Sequence, residues 1–226
     1  MAIQELHFTL PDGRSLKAGL VRAVAAGYTG RDQALVQAHV DELAAQGIAP
    51  PPHIPMLFPL LPTLVTNAEE VAVIGVNSTP EIEIALFQTN GTTYLTVASD
   101  QTDRVLEAQD ITVSKNVCPK VIGREAWPLA EVAGHIEKLT LTARCGSAVL
   151  QHGALAMMMA PEDILAFVDR HDGPEREGRI VFSGTVPTDN QPPKGAATID
   201  LKLNDPVLHR NILHSYRLSV LTEYFD

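Results

Sequence analysis

The sequence predicts a mainly β, mixed α+β domain. Short segments with strand-like alternation recur along most of the 226 residues, whereas few segments have helical spacing. A hydrophobic content of 45% in a chain of this length is enough to bury one sizeable core. We therefore expect one main domain over residues 66–226, preceded by a small N-terminal region over residues 1–65 that contains a strand, a helix and a Pro-rich linker.

The N-terminal region contains the clearest helix signal. Residues 4–10 alternate as a strand and end at a Pro-Asp-Gly turn. A helix is predicted from Arg31 to about Gln46, with Gly47 as its C-cap, because three consecutive prolines then prevent its continuation. The Pro-rich stretch up to Pro62 is predicted to be extended and to run along the surface of the main domain.

The main domain is predicted to consist mostly of strands. The expected strands are Val71–Val76, a hairpin over 81–99, Ala108–Val113, Glu137–Ala143, Ala148–Leu150, Arg179–Gly184, Thr198–Leu203 and Ile212–Leu221, with helices over Leu129–Ile136 and Pro161–His171. Runs of short strands with few helices are typical of α+β domains rich in β-structure.

Three acidic residues are spaced so that the hairpin brings them together. Asn-Gly is the strongest two-residue hairpin signal, and Asn90 and Gly91 stand between two β-rich segments. With these two residues as the loop, Glu81 pairs with Asp100, and Glu83 lies two places along on the same face. Directly opposite residues have Cβ atoms about 5 Å apart, so the carboxylates repel one another unless a cation lies between them. The spacing predicts a divalent-metal site.

A simpler interpretation is that the two glutamates only mark the solvated face of a strand. The third carboxylate and the apolar partner face of Ile82, Ile84 and Leu86 favour the metal site. Because every candidate ligand is an oxygen atom, Mg²⁺ is the expected cofactor, with Mn²⁺ and Ca²⁺ as alternatives to it, and Zn²⁺ is disfavoured.

The charge of the chain excludes several classes of partner. A net charge of −10 and a pI near 5.2 argue against nucleic acid and against an anionic membrane surface. No apolar run reaches the ~20 residues that span a bilayer. No secretory signal is recognised at the N-terminus, and the two cysteines have neither metal-site nor disulfide-framework spacing. We therefore expect a cytoplasmic protein that binds no nucleic acid and no membrane.

The order of four segments resembles the fumarylacetoacetate hydrolase superfamily from about residue 28 onward, in a branch described as a domain of unknown function. That family has a Glu-x-Glu strand, an Asn-Asp-Val-Ser-Ala-Arg-Asp-like stretch, a Lys-Ser-Phe motif followed by Cys-Pro, and a Gly-Thr-Pro loop. The matching segments here are Glu81-Ile82-Glu83, Ser99–Arg104, Ser114–Pro119 and Gly184–Pro187. The resemblance implies a mixed β-roll or barrel with a small N-terminal segment.

The resemblance also implies roles for particular residues. The metal ligands of the family correspond to Glu81, Glu83 and Asp100, the same three carboxylates that the hairpin brings together. The lysine of the Lys-Ser-Phe motif corresponds to Lys115, whose alternative role is that of a solvated strand lysine. The arginine after the aspartate corresponds to Arg104, a candidate ligand for a substrate carboxylate, with pairing to Asp103 or Glu107 as the alternative.

Two further pairs of residues follow from the same resemblance. Many relatives hold a His-x-x-Glu pair on a short helix that closes over the site, and His39 and Glu42 have that spacing on the predicted helix. An ordinary surface position is the alternative for His39. Gly184 and Thr185 are expected to offer a backbone N–H and a hydroxyl to the substrate, although a turn at the end of a strand accounts for them equally well.

These implied roles define the predicted function. It is a metal-dependent hydrolase or lyase that cleaves a C–C bond of a small 2-oxo acid or acylpyruvate through a metal-stabilised enolate, as a homodimer. In that reaction His39 and Glu42 activate water, and Lys115 stabilises developing negative charge. The alternatives are a hydratase, decarboxylase or isomerase that uses the same site, and a non-catalytic binding protein that the metal stabilises.

Overall fold

The computed structural model describes residues 4–45, 50–188, 190 and 194–222, and the side chains of His39, Glu42 and Leu43 lie outside this description. The strands are β1 (Gln4–Thr9), β2 (Ser15–Leu20), β3 (Arg22–Gly27), β4 (Met56–Leu60), β5 (Val65–Thr66), β6 (Glu70–Ile74), β7 (Ser78–Thr79), β8 (Ile82–Thr89), β9 (Thr92–Asp100), β10 (Thr102–Asp103), β11 (Lys120–Ile122), β12 (Trp127–Pro128), β13 (Thr140–Cys145), β14 (Ala148–Ala154), β15 (Arg179–Phe182), β16 (Ala197–Asp205) and β17 (Arg210–Leu221). The helices are α1 (Gln33–Ala45), α2 (Arg104–Glu107), α3 (Ile111–Asn116), α4 (Leu129–Val132) and α5 (Pro161–Asp172), and 3₁₀ turns cover Pro62–Leu64, Ala133–Lys138 and Leu155–Met157.

Two sheets form the body of the described structure. The larger has eight strands, in the order β4-β3-β15-β8-β9-β11-β5, with β12 paired to β9. The smaller has five strands, in the order β14-β13-β16-β17-β6. Two short pairs, β1-β2 and β7-β10, complete the strand arrangement. The predicted fold class, mainly β with few helices, is confirmed.

The β8–β9 hairpin lies between two hydrophobic cores. On one face, Ile82, Ile84 and Leu86 of β8 belong to the core shared with the five-stranded sheet. On the other face, Ala85 and Phe87 belong to a second core that includes side chains of β1 and β2. Because side chains alternate along a strand, a strand covered on both faces buries almost every residue. The acidic face of the hairpin is therefore enclosed and is not a solvated surface.

The hairpin has the register that the sequence predicts. Ile82 pairs with Ser99 and Thr89 with Thr92, so the loop consists of Asn90 and Gly91. Both loop residues have positive φ, 52° and 74°, which is the conformation that a type I′ turn requires. The position of the turn thereby sets which side chains of the two strands face one another.

The Pro-rich stretch is extended over Met56–Leu60, where it forms an edge strand of the main sheet, whereas residues 52–55 are bends. β4 pairs antiparallel with β3, and its side chains Phe58 and Leu60 are buried. Pro59 is tolerated because β4 is an edge strand, where a missing N–H costs no ladder hydrogen bond. The division at residue 65 stays a prediction, although strands from both sides of it share the eight-stranded sheet.

The predicted strand over Ala108–Val113 is wrong, since α3 begins at Ile111. Asp110 caps this helix by accepting a hydrogen bond from the N–H of Val113 at 2.9 Å. The β-branched residues of the segment favour a strand, but the capping aspartate stabilises the first helical turn and outweighs them. As a result, Lys115 lies on a helix.

Two helix predictions fall on α1 and α5. The first is confirmed within the described residues, where α1 covers Gln33–Ala45, and its predicted cap Gly47 lies outside them. The second is confirmed as Pro161–Asp172, with proline in its first turn. In the part of the chain that the structure describes, every helix is too short or too polar to cross a membrane.

Candidate metal centre

The three predicted carboxylates meet at the open end of the hairpin. One oxygen from each of Glu81, Glu83 and Asp100 lies within 4.8 Å of the other two. The backbone N–H of Asp100 donates to the carbonyl of Glu81 at 2.9 Å, which extends the hairpin register to this pair. The side chain of Asp100 is fully buried and that of Glu81 is 12% exposed. The structure therefore brings together the ligand set that the Asn-Gly loop predicts.

Between the two glutamates, side chains form the backbone hydrogen bonds that a neighbouring strand would otherwise form. The ladder between β15 and β8 ends at Phe182, so the backbone of Ile82 needs other partners. The Oε1 atom of Gln151 accepts from the N–H of Ile82, and the hydroxyl of Thr185 donates to its carbonyl, each at 2.8 Å. These bonds fix the backbone between the two glutamates.

Gly184 holds the carboxylate of Glu83. The N–H of Gly184 donates to Glu83 Oε2 at 2.9 Å, and its φ of +87° turns the backbone out of the β15 ladder toward that carboxylate. In this position a Cβ atom would contact Thr29 Oγ1 and would lie 2.9 Å from the carbonyl oxygen of Ala26. Glycine is required here because of both its conformation and the lack of space. The predicted donor groups of Gly184 and Thr185 are thus engaged within the protein.

Lys115 reaches the carboxylates from α3. Its Nζ atom lies 2.6 Å from Asp100 Oδ2 and 3.0 Å from Glu81 Oε2, and its side chain is 8% exposed. The Thr102 hydroxyl also donates to Glu81 Oε2, at 3.1 Å. Lys115 is therefore a nearly buried cation of the site and not the solvated strand lysine of the alternative interpretation.

Arg104 contacts the outer side of Glu81. Its Nη2 atom lies 2.9 Å from Glu81 Oε1, its Nη1 atom 2.7 Å from Glu107 Oε2, and its Nε donates to Thr79 Oγ1 at 2.6 Å. The alternative pairing with Glu107 is therefore present, whereas Asp103 caps α2. In this arrangement Arg104 orients Glu81 through a charge-assisted hydrogen bond.

Lys120 is a second buried lysine at the site, and it is not among the residues predicted from the sequence. It pairs with Asp100 across β11 and β9, its Nζ lies 2.7 Å from Asp100 Oδ1, and both side chains are fully buried. Its Nζ also donates to the carbonyl oxygen of Gln101. A lysine at the start of the apolar run Lys120–Ile122 carries no sequence signal for this contact, which depends on how β11 pairs with β9.

The two glutamates of the site have pKa values shifted in opposite directions. Burial would raise the pKa of Glu81, but Lys115 and Arg104 together hold it below its usual value. Burial and the neighbouring Asp100 raise the pKa of Glu83 well above its usual value. Burial would lower the pKa of Lys115, but Asp100 and the two glutamates raise it. Burial lowers the pKa of Lys120, against the opposing effect of Asp100.

The donor set fits a hard divalent cation. Oxygen ligands suit Mg²⁺, Mn²⁺ and Ca²⁺. Burial raises the pKa of Glu83 most, and the repulsion from Asp100 that adds to it is one that a cation would offset. Asp100 Oδ1 is buried and accepts no hydrogen bond from the described residues, although Lys120 lies close to it. Lys120 therefore lies against this oxygen without an aligned hydrogen bond to it, so the oxygen keeps lone pairs that suit a metal ion.

The predicted lid residues lie on α1, but their side chains are outside the described structure. His39 and Glu42 fall within Gln33–Ala45, and their roles stay predictions. Gln151, like Lys120, was not a candidate from the sequence. It lies on β14, far along the chain from Ile82, so only the packing of the two sheets shows its contact.

Several solved structures share this fold. A candidate fumarylpyruvate hydrolase from Burkholderia cenocepacia matches with a TM-score of 0.70 and 15% identity, over 99% of this chain and 97% of that chain. A candidate fumarylacetoacetate isomerase/hydrolase from Oleispira antarctica has a TM-score of 0.66 and 17% identity, over 95% and 99%. A 2-keto-3-deoxyarabinonate dehydratase has a TM-score of 0.62 and 17% identity, over 90% and 74%. The fold is that of the fumarylacetoacetate hydrolase superfamily, as the resemblance implied.

Within that fold, the chain belongs to the family described as "Protein of unknown function (DUF2848)", whose model matches residues 26–216. No curated protein matches the chain. The family model and the shared fold together confirm the branch predicted from the four sequence segments.

Proposed function

We propose that this protein is a metal-dependent hydrolase or lyase that acts on a small 2-oxo acid or acylpyruvate and cleaves a C–C bond. The observation that carries the proposal is the buried group of three carboxylate oxygens within 4.8 Å of one another. Solved structures that share this fold include proteins described as a hydrolase, an isomerase/hydrolase and a dehydratase, which supports this class of reaction.

Glu81, Glu83 and Asp100 would hold the cation, with Mg²⁺ as the first candidate. When bound, it supplies a Lewis acid for a substrate carbonyl oxygen. Lys115 would place a positive charge where the substrate gains negative charge, because its ammonium group is already desolvated and held by two carboxylates. Arg104 and Gly184 would keep Glu81 and Glu83 oriented through the hydrogen bonds described above.

The remaining roles are part of the same proposal. Glu42, together with His39, would activate water, since a histidine with an ordinary pKa near 6.5 suits proton transfer around neutrality. Arg104 and Thr185 remain candidates for substrate contacts after a rearrangement of their present hydrogen bonds. We also propose a homodimer.

A thermal-melting experiment tests the proposal. Metal-stripped protein is heated with Mg²⁺, Mn²⁺ or Ca²⁺, with and without oxalate as a 2-oxo acid analogue. A ligand at 100 times its dissociation constant adds about 2.7 kcal/mol to the free energy of unfolding, so a clear rise in Tm is expected with metal plus oxalate. Asp100→Asn should abolish the rise, and the absence of any rise in the wild type would reject the enzyme.

Lys115→Met separates the enzyme from a non-catalytic protein that the metal only stabilises. For the enzyme, the variant should fold and bind metal but lose turnover of acylpyruvates, because the charge that stabilises the reacting substrate is gone. If the metal serves only stability, Lys115→Met should change Tm and nothing else.

A further inference from the structure

Lys120 is a buried cation that the proposed reaction does not use. Its side chain is fully buried, so a substrate at the site has no access to its ammonium group. Its contacts are with the strand that carries Asp100, namely the Oδ1 atom of that residue and the carbonyl oxygen of Gln101. The ammonium group therefore acts on the site through Asp100.

Lys120 is also one of several cations packed against the candidate ligands. Two of the candidate ligands, Glu81 and Asp100, contact cationic side chains among the described residues, which are Lys115, Lys120 and Arg104. Asp100 is bracketed by two of them, with one ammonium group at each carboxylate oxygen. A divalent cation that enters such a site adds positive charge that these carboxylates no longer balance, at a place where solvent screening is weak.

We propose that Lys120 makes cation binding at Glu81, Glu83 and Asp100 depend on an anionic chelating ligand, by holding its ammonium group against Asp100. This inference rests on the proposed function. The ammonium group of Lys120 repels a bare divalent ion, and a ligand that brings its own negative charge, such as a 2-oxo carboxylate, restores the balance. The cation and the chelating anion then each raise the affinity of the other by the same factor. Lys120 is in this sense a positioning residue. It sets how much the affinity for the cation depends on the anion, and it does not touch the substrate.

Calorimetric titration of the metal-stripped protein with Mn²⁺, with and without oxalate, tests the proposal. The wild type should bind Mn²⁺ at least about tenfold more tightly when oxalate is present. Lys120→Met, which keeps the length of the side chain and removes its charge, should bind Mn²⁺ alone at least about tenfold more tightly than the wild type, with a smaller effect of oxalate. Lys120→Gln is a second neutral variant, which keeps a donor for the carbonyl of Gln101 and should behave like Lys120→Met.

Two controls separate charge from other effects. Lys120→Arg keeps the positive charge and should retain the wild-type dependence on oxalate. Lys202→Met removes an exposed lysine of β16, and it should leave Mn²⁺ binding unchanged because solvent screens that charge. Tm values of all variants show which of them are folded.

Three outcomes contradict the inference in distinguishable ways. A wild type whose Mn²⁺ affinity does not depend on oxalate overturns it, whatever the variants do. A folded neutral variant that binds Mn²⁺ no more tightly than the wild type also overturns it, while the proposed function stands. A wild type that binds no Mn²⁺ under either condition overturns the proposed function and the inference together.

Discussion

At the residue scale, Gly184 connects the fold to the candidate site through a single peptide N–H. The hydrogen bond from that N–H to Glu83 is possible because the φ of Gly184 is +87°, a value at which residues with a Cβ are strained. Thr29 and Ala26 close the space around the same position, and the Thr29 hydroxyl donates to the carbonyl of Ser183 at 2.7 Å. Gly184 thus holds the carboxylate of Glu83, whose pKa is raised by burial and by Asp100.

Gly184→Ala should lower the free energy of unfolding by about 2 kcal/mol or more, from backbone strain together with the contact at the carbonyl of Ala26. Denaturant unfolding measures the change. Gly134→Ala is the matched control, because an added Cβ there meets no atom of the described residues within 4 Å, and it should be close to neutral. Equal effects of the two substitutions would show that the position of Gly184 imposes no special requirement.

At the element scale, helix α3 decides where Lys115 lies. The helix covers only Ile111–Asn116, and so short a helix has little stability of its own. Its support comes from the Asp110 cap at one end and from Asn116 at the other, whose side chain bonds to the backbone of Leu61 and Pro59. The edge strand β4 therefore helps to hold the helix that carries the candidate catalytic lysine.

Asp110→Ala should cost about 1 kcal/mol of stability, because the N–H of Val113 loses its acceptor. It should also weaken the stabilisation by metal and oxalate, since the first turn of the helix that orients Lys115 then frays. Thermal melts with and without these ligands measure both effects. Asp110→Asn retains an acceptor, so it should keep both the stability and the stabilisation by metal and oxalate. If Asp110→Asn lost as much as Asp110→Ala, the negative charge would matter more than the cap.

At the scale of the whole molecule, the two sheets enclose residues that are polar in sequence but buried in the fold. His214 of β17 is one of them, with 6% of its surface exposed and its Nε2 atom 3.4 Å from the carbonyl oxygen of Ala68. Burial lowers the pKa of His214 from its ordinary value of 6.5, with a further lowering by Arg124 and opposing effects of the Ala68 carbonyl and Glu69. The folded protein therefore favours the neutral imidazole.

The free energy of unfolding should consequently decrease as the pH falls below about 6.5, since the unfolded chain binds a proton at His214 before the folded protein does. Above that pH the contribution is complete, and the loss ends when the pH passes the lower pKa of the folded state. His214→Gln should flatten this dependence between about pH 7 and pH 5.5. His209→Gln, at an exposed histidine, serves as the control, and an unchanged slope in His214→Gln would contradict the assignment.

The hairpin and its carboxylates could be predicted from the sequence because the information is local. Asn90 and Gly91 fix the turn, the turn fixes the register, and the register places Glu81 beside Asp100. The predicted strand over Ala108–Val113 failed because a single capping aspartate, Asp110, outweighed the β-propensity of its neighbours. Local patterns are reliable where turn geometry dictates the pairing, and unreliable where two local preferences compete.

By itself, the sequence determined the mainly β class, the hairpin register, the three candidate ligands and the order of motifs that resembles the fumarylacetoacetate hydrolase superfamily. Only the tertiary structure decided that the acidic face is buried and that Lys120 lies against Asp100. It also decided that Gly184 bonds to Glu83 and Thr185 to the backbone of Ile82. The physical reason is the range of the interactions. A turn acts over a few residues, whereas burial and ion pairing depend on strands that are distant in the chain and adjacent in the sheet, such as β9, β11 and β15.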